Sequence, residues 1–101
     1  MKDMPIACSL DPAAIRARRA GLLPGLAARA VGIEELADGI RLRFAPASGI
    51  LSEIAAVIDA ERQCCRFLQF DLRVDQDGGP VALSLTGPPG TREFVSQLIA
   101  G

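Results

Sequence analysis

The chain has 101 residues, half of them apolar and 23% charged, with a formal net charge of −1. That is ordinary globular composition for one small core, and near-neutrality argues against a dedicated nucleic-acid binder, which carries a basic face. The sequence holds no histidine, which excludes histidine-based triads, histidine metal ligands and histidine pH switches.

Residues 1–9 read as extended or irregular and lack the apolar core expected of a signal peptide. Asp11-Pro12 signals a helix start, with Asp as N-cap and Pro in the first turn. Ala13 to Leu23 then reads as a helix rich in Ala and Arg. Pro24-Gly25 should kink or end it, with Leu26 to Ala30 adding a further turn.

Val31 to Leu36 and Ile40 to Ala45 read as a β-hairpin around Ala37-Asp38-Gly39, since Asp-Gly is a strong hairpin signal. Ile40, Leu42 and Phe44 alternate with Arg41 and Arg43, which gives one buried and one wet face. Pro46-Ala47-Ser48 closes the strand, and Ser48 is the expected N-cap of the central helix. That helix starts at Ile50. Its apolar stripe is Ile50, Leu51, Ile54, Val57 and Ile58, the 3,4 spacing of one face.

Continuing the same spacing brings Glu61, Cys64, Cys65 and Leu68. At about 100° per residue, Glu61 lies roughly 60° from Cys64 and about 40° from Cys65. One carboxylate and two thiols are thus expected toward the packed side near the C-terminal end of this helix. Phe70, Leu72 and Val74 then alternate with Asp71, Arg73 and Asp75. A turn over Gln76–Pro80 leads to Val81, Leu83 and Leu85, alternating with Ala82, Ser84 and Thr86. Gly87-Pro88-Pro89-Gly90 breaks this strand. Thr91 to Ala100 reads as a last helix with Phe94, Val95, Leu98 and Ile99 as its stripe.

The second half repeats the first in kind: strand, Asp-Gly turn, strand, proline–glycine break, helix. The expected architecture is α+β: a two-layer domain over residues 1–101, with an internal hairpin–helix repeat (about 31–68 and 69–101). A four-stranded antiparallel sheet from two hairpins carries the helices on one face (α-ββ-α-ββ-α). Leu42, Phe44, Leu72, Val74, Leu83 and Leu85 should face the helices, and Phe44 and Phe70 should be core aromatics. The strand order does not follow from the pattern.

Thiolates select soft ions, so Cys8, Cys64, Cys65 and Glu61 form the candidate metal set, and a soft metal or metalloid ion is the expected ligand. Arg62 and Arg66 flank the pair and favour thiolates, whereas burial and the helix C-terminus oppose them. The bland alternative is that the cysteines are small core residues of a structural or interaction module, with a homodimer among its assemblies. Cysteine catalysis is the least favoured reading: the sequence has no histidine base and no Cys-x-x-Cys spacing. The sheet offers no exposed stacking aromatics for RNA. No apolar run reaches the ~18 residues of a membrane span. Three cysteines are too few and odd in number for a secreted disulfide framework, so a reduced cytoplasm is expected.

The segment Glu61-Arg62-Gln63-Cys64-Cys65-Arg66-Phe67-Leu68-Gln69-Phe70-Asp71-Leu72, with Cys8-Ser9-Leu10 upstream and Thr86-Gly87-Pro88-Pro89-Gly90-Thr91-Arg92-Glu93-Phe94 downstream, resembles a family of small bacterial proteins with a Glu-x-x-Cys-Cys-x-Phe type motif. Related segments are appended to MerR-type metal-responsive regulators. The resemblance implies Cys8, Cys64, Cys65 and Glu61 as the functional set and no particular activity. Arg66 stands where other members carry Pro or Ser. No helix-turn-helix precedes the motif, so a regulator's DNA function is not implied.

Overall fold

The computed structural model describes residues 23–100, apart from the side chain of Cys64. The expected irregular start, the Asp11-Pro12 helix start and most of the helix from Ala13 lie outside the described residues, as does Cys8. The described elements are α1 (Leu23–Ala28), β1 (Gly32–Leu36), β2 (Gly39–Phe44), α2 (Ile50–Cys64), β3 (Gln69–Val74), β4 (Val81–Thr86) and α3 (Thr91–Ile99). Pro24 and Gly25 lie inside α1 rather than ending a helix there.

The two hairpins form one antiparallel sheet in the order β1-β2-β4-β3. They join through their second strands, with Leu42 opposite Leu83 and Ile40 opposite Leu85. Cross-strand neighbours share a face, so Ile40, Leu42, Phe44, Val81, Leu83 and Leu85 make one apolar surface, and all six are buried. Helix α3 lies against β2 and β4, and α1 meets both α2 and α3. Ile50, Ile54 and Val57 of α2 enter the same core. The opposite face of the sheet, with Arg41, Arg43, Asp71 and Arg73, is open.

The expected α+β fold with helices on the sheet is therefore present, but its apolar phase is not buried throughout. Leu72 and Val74 face the helix side opposite Leu83 and Val81, yet are 40% and 52% exposed. They belong to an edge strand that no described helix covers. Phe70 is only half-buried for the same reason, whereas Phe44, on a central strand, is closed in. Leu51 falls off the stripe of α2 and is exposed.

The two Asp-Gly turns differ. In the second hairpin, Asp77 and Gly78 both have positive φ (58° and 66°). Gly79 N–H donates to the Gln76 carbonyl at 3.1 Å. This is the signature of a type I′ turn, whose twist matches the strands. In the first hairpin Leu36 pairs with Gly39, so the loop is Ala37-Asp38 and Gly39 opens β2. Neither loop residue has positive φ. Gly39 serves close approach instead: a Cβ there would collide with the Leu85 carbonyl oxygen of β4.

Helix α2 is capped by Gly49 in the left-handed region (φ 82°), not by Ser48, and no side chain caps it. Helix α3 starts the same way at Gly90 (φ 99°). In both, the carbonyl two residues before the glycine accepts from the residue after it: Ala47 from Ile50 and Pro88 from Thr91. The hairpin–helix units thus share a backbone device as well as a sequence pattern. In the first turn of α3, the backbone N–H of Glu93 and then the Arg92 guanidinium hold the Glu93 carboxyl below its ordinary range.

Candidate functional site

The C-terminal turns of α2 carry the residues singled out by the sequence. Glu61 is 1% exposed and its carboxylate is not free. Burying a carboxylate in this way requires compensation, so the helix places it on the packed side as its spacing predicts. Cys64 is the last residue of α2. Cys65 is its C-cap, with φ −113° and ψ 77°.

That break corrects the expected geometry. The helix does not continue to Leu68, so the 3,4 spacing stops short of that residue. Cys65 joins the helix end to a turn: its N–H makes the last helical bond, to the Glu61 carbonyl at 2.8 Å, and its carbonyl accepts from Leu68 N–H at 3.1 Å. The turn brings Phe67 and Leu68 into the core with it. Phe67 meets Phe94 of α3 edge-on, with ring centroids 5.2 Å apart and planes at 76°. This arrangement is favourable for the ring quadrupoles. The chain then enters β3.

Cys65 is 1% exposed and is disulfide-bonded. The expectation of free thiols is corrected at this position. The other two cysteines, Cys8 and Cys64, have side chains outside the described residues. Among the described residues, no three His, Cys, Asp or Glu side chains are grouped as a metal site requires. Of the predicted set, the described residues therefore bring together Glu61 and Cys65, one helical turn apart.

Beside this turn is an open cleft of about 910 Å³, lined by Ile58, Asp59, Arg62, Gln63, Arg66, Leu68 and Phe70. Arg62 and Arg66 are exposed. The ion pairs among the described residues engage Arg29, Arg41, Arg43, Arg73 and Arg92, and leave these two guanidinium groups without a carboxylate. Sequence reading found both arginines. It did not find Phe70 and Leu68 as cleft walls, because they reach the cleft only after the chain has turned out of α2.

Comparison with protein-family models, with curated proteins and with solved structures finds no match. Fold and site together define the class: a small α+β protein with helices on one four-stranded sheet and a buried, disulfide-bonded cysteine at the end of its central helix. No helix among the described residues is long and apolar enough to cross a membrane.

Proposed function

We propose that this protein binds a soft metal or metalloid ion through its cysteines when they are reduced, with Cys65 as the central ligand. The observation that carries this reading is the disulfide at Cys65. A sulfur that forms a disulfide has a second sulfur within bonding reach. Once reduced, such a pair can separate by a rotamer change and bridge one thiophilic ion at lengths near ~2.3 Å. Cys64 and Cys8 are the candidates for the further sulfur ligands. Glu61, buried one helical turn before Cys65, is the carboxylate of the candidate set. The resemblance to proteins linked with metal-responsive regulators supports the same reading. A reducing cytoplasm would hold the pair as the dithiol that such binding needs.

The test is titration of the reduced protein with mercury(II) or arsenite, followed by thiolate-to-metal absorbance and by protection from alkylation. Stoichiometric binding that is lost in the oxidised protein and in Cys65→Ser is the expected result, because a hydroxyl is a poor ligand for a soft ion. Equal binding by wild type and Cys65→Ser would sink the proposal.

The burial of Cys65 within the hydrophobic cluster favours a second reading, in which the cysteines are core residues of a structural or interaction module. That reading expects reduction to lower stability with no ion restoring it. The metal reading expects mercury(II) or arsenite to raise the melting temperature of the reduced protein, through preferential binding to the native state.

A further inference from the structure

The sheet has two edge strands, and the sequence treats them differently. On β1, Glu35 lies opposite Ile40 and Glu34 opposite Arg41. Glu35 therefore puts a carboxylate on the helix-side face of the edge, a device that discourages edge-to-edge pairing. On β3, the same face carries only Phe70, Leu72 and Val74. Leu72 and Val74 are part-exposed, so among the described residues β3 combines an unpaired backbone edge with an apolar row.

The open face of β3 carries two charges, Asp71 and Arg73, placed symmetrically about Leu72. If two β3 strands run antiparallel with Leu72 opposite Leu72 of the second copy, Asp71 of each stands opposite Arg73 of the other. Phe70 of each then stands opposite Val74. Directly opposed side chains on one face lie about 4.5–5.5 Å apart at Cβ. That single register thus forms two opposite-charge pairs on the open face and three apolar pairs on the helix face. Arg73 donates through Nε to Asp75 at 2.9 Å, with its side chain 82% exposed. Its two terminal nitrogens remain available to a second carboxylate.

We propose that β3 is the interface of a two-fold symmetric dimer, in which the β3 strands of two copies pair antiparallel about Leu72 and merge their sheets into one. The occupant of the edge is a second copy of this chain because its charge order is complementary to itself, as an isologous contact requires. The pairing also sets Val74 of one copy against Phe70 of the other, at the rim of the cleft beside Cys65. The dimer does not depend on the metal reading.

Sedimentation velocity and light scattering of the full chain, from micromolar to millimolar concentration, test the proposal. Wild type should dimerise, and more weakly as salt rises. Asp71→Arg opposes two arginines in each pair and should be monomeric over the same range. The double variant Asp71→Arg, Arg73→Asp restores opposite charges in the same register and should dimerise again. Glu34→Lys on β1 should leave the dimer unchanged. A monomeric wild type overturns the proposal. So does a dimer indifferent to Asp71→Arg, which would be held by another face. Failure of the double variant to recover overturns the register, and with it the proposal.

Discussion

Phe44 and Phe70 both fall on the apolar phase of a strand, and the sequence treats them alike. The structure separates them. Phe44 is 1% exposed on a central strand, while Phe70 is half-buried on an edge. Phe44→Ala should cost about 3–5 kcal/mol, transfer and cavity contributions together. Phe70→Ala should cost about 1–2 kcal/mol, roughly the transfer free energy of a half-buried ring. Chemical denaturation measures both, and equal losses would contradict the edge position of β3. Cys65 makes the same point. Its type and its neighbours Arg62 and Arg66 mark it as chemistry, but its place is where the last helical bond, to Glu61, gives way to a turn closed by Leu68.

The helices illustrate how backbone conformation, not side-chain capping, starts an element here. Gly49 and Gly90 adopt left-handed φ directly before α2 and α3. A Cβ at Gly49 would meet no atom within 4 Å, so any penalty for Gly49→Ala is purely conformational. It should destabilise by about 1–2 kcal/mol, the cost of left-handed φ for a residue with a Cβ. Gly25 in α1 also has open space around it, but no positive φ. Gly25→Ala should therefore stabilise by about 0.5–1 kcal/mol, through helix propensity and unfolded-state entropy. Thermal melts of the two variants should shift in opposite directions. Ser48, the residue chosen from the sequence as N-cap, stands one position too early. Its type matches the usual preference, but the chain reaches the helix through glycine geometry.

The whole molecule depends on the seam between β2 and β4, where the two hairpin–helix units meet. Leu42 and Leu83 face each other across it, fully buried. Gly39 lets the two backbones approach at one end. Gly39→Ala should cost about 3 kcal/mol, the upper range for overpacking, since a backbone carbonyl cannot rotate away as a side chain would. A denaturation midpoint close to wild type would show that the seam can open there without loss.

Local periodicity was sufficient for the four strands and for α2 and α3. Alternation in residues 40–44 and 81–85 located the central strands, two Asp-Gly pairs located the hairpins, and the 3,4 spacing found α2 and α3. These signals work because side-chain direction repeats every two residues in a strand and every 3.6 in a helix, whatever lies beyond. They also brought Glu61 and the cysteines to the end of one element. Strand order was not accessible in this way, since either hairpin could have offered either strand to the other. That order decided which apolar residues are core and which are edge, and so why Leu72 and Val74 remain part-exposed. Nor did periodicity locate the end of α2 at Cys64. There the packing of Phe67 against Phe94, a partner 27 positions along the chain, accompanies a turn rather than another helical turn. Residue pattern determined which face each element presents; only contacts between distant segments determined what covers it.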